Sequence, residues 1–295
     1  MSDVKQQTCS IASVIEQATI VLGNVSDSAK LDAQLLLAFV LTQNITYLLT
    51  WPEKHISPAE LLTIKQLLIR RLNGEPIAYI LGEKEFWSLP LKVSPATLIP
   101  RPDTEILVEQ VLSLFTDEST DTKQTIQCLD LGTGTGAIAL ALASEYKHWL
   151  IEAVDFNQQA VDLAQYNAQQ LNLSHVTIYQ SNWFAQIDEQ KRFDVIVSNP
   201  PYIDENDPHL NAGDVRFEPK SALVASNEGL SDIILIAQQA RKFLKDNGYL
   251  LFEHGYQQAQ AVQQILTNLG YKNIITLKDL AKNDRVTQAT WLNNG

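Results

Sequence analysis

The sequence predicts an α/β protein: a mostly parallel sheet covered by helices on both faces, preceded by a small helical domain. Three observations carry that expectation. From about residue 101, short apolar runs alternate with amphipathic helical patterns, the rhythm of strands joined by helical crossovers. Ahead of them the periodicity is helical. At 295 residues the chain is long for one core, so one large and one small domain are expected. The boundaries expected are 1–85 for the helical domain, 86–100 for a hairpin or linker, and 101–295 for the α/β domain.

In the first domain, "SPAELLTIKQLLIRRLNG" (57–74) carries every signal of a helix. Ser57 is the N-cap, Pro58 the first helical residue, and Glu60 stands three residues after the cap. Leu61, Ile64, Leu68 and Leu72 share one face, Arg70 and Arg71 sit in the last turn, and Gly74 ends it. Arg70-Arg71 reads as a partner for the helix dipole, or as a pair that an acidic partner surface would meet. "LDAQLLLAFVLT" is a more buried helix. "FWSLPLKVSPATLIP" then alternates partly, with prolines at 90, 95 and 100, the pattern of a hairpin or irregular linker.

Strands are expected at 126–131, 150–155, 176–181, 193–198, 249–253, 273–277 and 286–292. Helices are expected at 103–115, 136–146, 157–171, 231–246 and 256–269. The last two strands have no helix between them, which makes at least one of them antiparallel. The run 116–125, "TDESTDTKQT", is a polar, exposed connection.

Composition excludes several classes. The chain is 45% apolar and 19% charged, as in ordinary globular proteins. No apolar stretch reaches the length of a membrane span, and the first residues lack the pattern of a secretory leader. Cys9 and Cys128 form no metal-binding spacing, so a reduced, cytoplasmic protein without a metal site is expected. His209 and His254 are not spaced with carboxylates as ligands and read as solvated or hydrogen-bonded side chains. Residues 1–100 hold 8 Lys/Arg and 9 Asp/Glu, whereas 101–295 hold 14 and 25, a net −11. That balance argues against a long grip on nucleic-acid phosphates.

The chemistry concentrates at strand ends. "CLDLGTGTGAIALALA" runs from a strand ending near Asp130, through Gly132, Gly134 and Gly136, into a helix of small residues. Such glycines let the backbone approach a ligand closely. Alone, the loop also fits a plain strand-to-helix turn. The next strand, "LIEAVD", ends in Asp155, where a carboxylate can accept bonds from both hydroxyls of a ribose. The third ends "YQSNWF": Asn182 can read an adenine edge, while a lone Trp183 is more often core. Ligands of open α/β sheets bind outside the carboxyl ends of the strands, and all these residues fall there.

With these features the chain resembles the class I S-adenosylmethionine-dependent methyltransferases, a family with a Rossmann-like, seven-stranded sheet. The fourth strand, "FDVIVS", delivers Asn199-Pro200-Pro201-Tyr202. A planar amide or base nitrogen is a poor nucleophile, so positioning must carry much of its methylation. Asn199's side-chain oxygen and the Pro200 carbonyl can each accept one N–H of an NH₂ group, and both stabilise the positive charge that develops on it. Pro200 and Pro201 stiffen the loop, and Tyr202 offers a flat face for stacking. Adenine, guanine and glutamine amino groups all satisfy such a site.

The wider pattern narrows the choice. "GEPIAYILGEKEFWSLPLKVSPATLIPRPDTE" (74–105), "NPPYI" and "DVRFEP" (214–219) together resemble the protein glutamine methyltransferases of class I peptide chain release factors. The resemblance implies methyl transfer from S-adenosylmethionine to the glutamine amide of the factor's Gly-Gly-Gln loop. It implies that the helical domain grips the factor. It assigns Gly132, Thr133, Gly134, Thr135, Gly136, Asp155, Trp183 and Asn199 to the cofactor. Asn199, Pro200, Pro201 and Tyr202 go to the substrate, with Asn199, Pro200 and Tyr202 as the catalytic set. Leu98 becomes a wall of the pocket at a position where the family also uses an aromatic residue. Asn182 stands where an acidic residue is common and keeps an acceptor there. Arg216 and Glu218 are read as a pair shaping the loop beside the pocket.

Two other readings remain. A base methyltransferase would share the glycine loop and the proline tetrapeptide and flip its base into the same place. The acidic charge and the lack of an aromatic-basic reading module oppose it. A binding module that has lost its chemistry is opposed by the intact glycines, Asp155 and tetrapeptide.

Overall fold

The computed structural model describes residues 9–115, 125–211 and 213–292. The polar connection expected at 116–125 lies, except for Thr125, outside the described residues. The chain divides into two compact units, 1–82 and 83–295.

Among the described residues of the first unit, a two-residue ladder joins β1 (Cys9–Ser10) to β2 (His55–Ile56), and five helices pack on one another: α1 (Ile11–Leu22), α2 (Ala29–Leu41), α3 (Ile45–Thr50), α4 (Pro58–Leu72) and α5 (Ile77–Leu81). Ile11, Val14, Leu37, Leu48, Ile56 and Ile64 meet in its core. At the start of α4 the Ser57 hydroxyl accepts from Glu60 N–H and the Glu60 carboxylate accepts from Ser57 N–H, closing both halves of a capping box. The two arginines at its far end differ. Arg70 forks onto Glu75 at the surface. Arg71 is buried, with Nε 2.8 Å from Asp32 Oδ2 and Nη1 donating to the Gly74 and Glu75 carbonyls. Arg71 is therefore an internal strut; its guanidinium is spent on the fold and is closed to a partner protein.

The second unit opens with a hairpin, β3 (Glu83–Phe86) and β4 (Leu89–Lys92), followed by α6 (Glu105–Leu114). Then come β5 (Gln127–Leu131), α7 (Ala137–Glu145), β6 (Leu150–Asp155), α8 (Gln158–Gln170), β7 (Thr177–Gln180) and β8 (Phe193–Ser198). The single turn α9 (Ser226–Gly229) leads into α10 (Ser231–Ala240), β9 (Leu244–Glu253), α11 (Ala259–Asn268), β10 (Lys272–Lys278) and β11 (Asp284–Trp291). The sheet order is β10-β11-β9-β8-β5-β6-β7. Strands β5 to β9 run parallel, and β11 alone opposes its neighbours.

Alternation along the strands sorts the core into two layers. Cys128, Val195, Val197 and Leu251 meet Val108 of α6, the alanine-rich α7 and Ala164 of α8. Leu129, Leu131, Ile196 and Leu250 meet Ile233 and Ile236 of α10 and Val262 and Leu266 of α11. The expected seven strands and the late antiparallel pairing are all present. One helix is shorter than its periodicity predicts: α10 stops at Ala240 rather than 246. Phe243 and Leu244 continue the apolar spacing, but the Phe243 carbonyl accepts from Phe193 N–H at 2.8 Å and Leu244 pairs with Phe193, so sheet pairing takes them.

The strand order reverses between β5 and β8. The chain leaves β5 outward through β6 and β7, then returns to lay β8 on the other side. A crevice must open there at the carboxyl ends. Ser198 ends β8 opposite Leu131, and its hydroxyl donates to the Leu131 carbonyl at 2.8 Å, fastening the two strand tips together.

Replacing Arg71 with Met leaves Asp32 charged and buried without its partner, which should cost about 3–5 kcal/mol. Urea unfolding reads this directly. The double change Asp32→Leu with Arg71→Met should recover most of the loss; no recovery would mean that packing, not the orphaned charge, carries the cost.

Candidate functional site

The crevice is a cavity of about 350 Å³. Gly132 to Thr135 floor it, Asp155, Phe156 and Asn157 come from the tip of β6, and Ser181, Asn182 and Trp183 follow β7. Ala96 to Leu98, Pro100, Arg101, Thr104, Asn199, Pro201, Ser221, Ala222 and Asp232 also line it, and Asn199 Nδ2 donates to Thr104 Oγ1 at 3.3 Å. Of the residues singled out from the sequence, Gly132, Thr133, Gly134, Thr135, Asp155, Trp183, Asn199 and Pro201 line it together, as do Leu98 and Asn182. Gly136, Pro200 and Tyr202 do not line it. Gly136 faces Leu140 and Ala164 in the core behind the loop, and Pro200 is buried. Tyr202 turns its hydroxyl inward, 3.3 Å from Glu253 Oε1.

The glycine loop is shaped by its neighbours. Gly132, Gly134 and Gly136 all have positive φ, a conformation side chains resist. A Cβ on Gly132 would stand 3.4 Å from the Trp183 ring, so the indole lies directly against the loop backbone. Asp155 Oδ2 accepts from Gly134 N–H and Oδ1 from Asn157 N–H, both at 2.9 Å. Burial raises its pKa, and the N–H groups of Asn157, Gly134 and Phe156 oppose that rise. Asp130 sits wholly buried beneath the loop. Its Oδ2 accepts from the Thr133 hydroxyl at 2.7 Å and from Ala139 N–H at 3.3 Å, while Oδ1 has no hydrogen-bond partner among the described residues. Desolvation pushes its pKa up to about 7.

Asn167 was legible only as an anomaly: an amide on the buried stripe of α8 beside Ala164 and Ala168. Its oxygen accepts from Lys92 N–H, and its NH₂ donates to the carbonyls of Lys92 and Thr135. One side chain thus joins the hairpin to the glycine loop.

The proline tetrapeptide is held from behind. Gln258 Nε2 donates to the carbonyls of Tyr202 (3.0 Å) and Glu228 (2.9 Å), and its oxygen accepts from Gly255 N–H. Gly229, with φ +78°, lies so close that a Cβ there would stand 2.0 Å from the Tyr202 carbonyl oxygen. The flanking motifs also meet. Arg101 Nη2 lies 2.7 Å from Glu218 Oε2, and Ile99 N–H donates to Glu218 Oε1. The ion pair of Glu218 is therefore with Arg101, across 117 residues, while Arg216 lies 5.0 Å over the Phe217 ring. His254 is buried, with Nδ1 2.9 Å from the Gly255 carbonyl and Nε2 2.7 Å from the Thr287 hydroxyl; His209 is exposed beside Asp207.

A Methyltransferase small domain model matches residues 104–274, and a PrmC N-terminal domain model matches 13–82. A release factor glutamine methyltransferase of Shewanella oneidensis is 51% identical over 286 residues, covering 97% of both chains. One from Vibrio cholerae is 56% identical over 265 residues, covering 89% of this chain and 90% of its own. The chain belongs to the release factor glutamine methyltransferase family. A methyltransferase structure from Pyrococcus furiosus shares the fold: TM-score 0.52, 17% identity, 77% of this chain and 99% of that one. The glutamine methyltransferase relatives span both units of the chain, so the match is not confined to the shared sheet.

Two outcomes follow from the site's geometry. Gly229→Ala must displace the Tyr202 main chain by about 1 Å to make room for its Cβ, and misplacement on that scale costs about 100-fold in rate. Methyl transfer should fall by that order while thermal unfolding stays cooperative. For Asp130, a folded pKa of about 7 against an ordinary 3.8 means the folded state favours the protonated carboxyl. Its contribution is fully present below about pH 4 and is lost as pH rises through 7, about 4 kcal/mol in all at ~1.4 kcal/mol per pH unit. Asp130→Asn should therefore gain stability relative to the wild type as pH rises from 4 to 8. A difference between the two proteins that stays flat with pH would overturn this.

Proposed function

We propose that this chain transfers a methyl group from S-adenosylmethionine to the side-chain amide nitrogen of a glutamine in a class I peptide chain release factor, within its Gly-Gly-Gln loop. The observation that carries the reading is the placement of Asn199 beside the glycine loop in one crevice, in a chain whose relatives bear that activity over nearly their whole length. The residues present suit the cofactor. Asp155 offers acceptors for ribose hydroxyls, Trp183 an indole face, Asn182 a polar edge for adenine, and the glycine loop a surface without side chains. When bound, the cofactor supplies an electrophilic methyl group on a sulfonium and, as the S–methyl bond breaks, leaves as the thioether S-adenosyl-L-homocysteine.

The chain's own residues then have a definite task. An amide nitrogen shares its lone pair with the carbonyl and is a weak nucleophile. In this reading Asn199 Oδ1 and the Pro200 carbonyl each accept one N–H of the glutamine NH₂. They fix its orientation and stabilise the positive charge that grows on nitrogen as it reacts. The same two acceptors suit the nitrogen's proton until the product releases it. Tyr202 anchors the tetrapeptide through its hydroxyl. The helical unit, 1–85 in this reading, is assigned to gripping the release factor, and the cytoplasm, where translation occurs, is the expected location. Among the described residues no helix is long and apolar enough to cross a membrane.

The test is incubation with labelled S-adenosylmethionine and either a purified release factor or nucleic acid. Label should enter the factor and disappear when its loop glutamine is replaced by alanine. Label entering nucleic acid instead would favour a base methyltransferase. Asn199→Ala should lower turnover at least 100-fold with cofactor affinity within a few-fold of wild type; near-normal turnover would overturn the assigned role.

A further inference from the structure

Three successive residues of the glycine loop are each held by a different side chain. Thr133 gives its hydroxyl to Asp130, and Gly134 its N–H to Asp155, both near the tips of neighbouring strands. The Thr135 carbonyl accepts from Asn167 Nδ2 at 2.9 Å, which brings in α8. Asn167 is 1% exposed, on a stripe otherwise made of Ala160, Val161, Ala164 and Ala168. Its oxygen accepts from Lys92 N–H at 2.9 Å, and Nδ2 also donates to the Lys92 carbonyl at 3.0 Å. All three partners are main-chain groups of fixed polarity, so only one orientation of the amide satisfies them. A flipped amide would set its oxygen against two carbonyls.

Lys92 ends β4 and leads into another wall of the cavity, where Ala96, Thr97 and Leu98 line it. That segment is tied to α8 a second time. Asn157, the N-cap of the helix, donates from Nδ2 to the Ala96 carbonyl at 3.2 Å. Between the ties the chain turns back on itself, with Thr97 N–H donating to the Ser94 carbonyl at 3.2 Å. It passes close to the loop: a Cβ on Gly134 would lie 4.0 Å from Thr97 Cβ. The two walls, 93–98 and 132–135, are therefore registered on one helix, and Asn167 bonds toward both. Packing alone would favour an apolar residue at 167; the amide is needed for the three main-chain groups it satisfies.

We propose that Asn167 is a positioning residue for the cofactor: it fixes the glycine loop against the 93–98 segment and so presets the cavity for its ligand. The proposal rests on the reading that this cavity takes S-adenosylmethionine. Asn167 does not line the cavity and acts through Lys92 and Thr135. Its effect is on preorganisation, because two walls that hold their spacing beforehand lose less freedom when the ligand binds. Loss of the amide weakens cofactor binding. The transfer step, assigned to Asn199 and Pro200, stays close to normal once the cofactor is saturating.

The experiment uses the full chain, with S-adenosyl-L-homocysteine binding followed by calorimetry and methyl transfer measured on purified release factor. Asn167→Leu roughly keeps the volume and removes all three bonds. It should raise the Kd for S-adenosyl-L-homocysteine and the KM for S-adenosylmethionine about tenfold. The kcat at saturating cofactor and the KM for release factor should stay within about threefold of wild type. An unchanged Kd, or a fall in kcat without a rise in Kd, would overturn the proposal. A second measurement needs no variant: hydrogen exchange of the wild type, alone and with S-adenosyl-L-homocysteine at about 100 times its Kd. Lys92 does not line the cavity, yet its amide should exchange at least about tenfold more slowly with ligand, because opening it releases the loop that the ligand holds. Slowing at Gly134 with none at Lys92 would overturn the coupling and leave the cofactor reading intact. A wild type that does not bind S-adenosyl-L-homocysteine would overturn the reading of the cavity, and the proposal with it.

Discussion

Everything in the catalytic unit depends on β5 and β8 lying side by side although 61 residues separate Leu131 from Phe193 in sequence. Parallel neighbours must be joined by crossovers, and the crossovers here run outward from β5 in one direction before the chain returns on the other side. That reversal leaves the tips of β5 and β8 uncovered by a helix. One tip carries the glycine loop and the other carries Asn199-Pro200-Pro201-Tyr202. The Ser198 hydroxyl on the Leu131 carbonyl keeps the tips in register. A crevice at these tips follows from topology before any side chain is considered, and the side chains then decide its chemistry.

Three strands end in buried or half-buried carboxylates: β5 near Asp130, β6 at Asp155 and β9 at Glu253. Their environments divide the labour. Asp155 is bound by main-chain N–H groups and still faces the cavity. Asp130 is sealed beneath the loop and holds Thr133 and the first turn of α7. Glu253 is sealed behind the tetrapeptide, and its Oε1 accepts from the Tyr202 hydroxyl. Two of the three carboxylates thus act on groups bonded to them, and only Asp155 faces the cavity.

Much of this was legible in the sequence, for identifiable reasons. Strands and helices announced themselves because their apolar periods are clean, and Ser57-Pro58-Glu60 named a helix start outright. The glycine loop, Asp155 and the proline tetrapeptide were visible because each breaks a local pattern at a strand end. What stayed hidden depends on pairings across long sequence distances. Arg71 looked like a dipole partner since Asp32 is 39 residues away. Glu218 pairs with Arg101 rather than being explained by its neighbour Arg216, because the chain folds two motifs onto each other. The extra length expected for α10 reflects periodicity that sheet pairing overrode. Glu253 could have been noticed, since it ends an apolar strand as Asp155 does, but its hydroxyl partner, Tyr202, is known only once the strands are placed.

The close approach at Gly229 also bears on how this protein can vary. The atom that excludes a larger residue there is the main-chain carbonyl of Tyr202, 27 positions earlier. A clash with a side chain can be relieved by trimming that side chain, but a main-chain oxygen belongs to every amino acid. No second substitution at position 202 would therefore suppress a change at Gly229. A suppressor screen should instead return changes that move the backbone, in the left-handed Asn227-Glu228 turn or at Gln258, whose amide ties that turn to Tyr202.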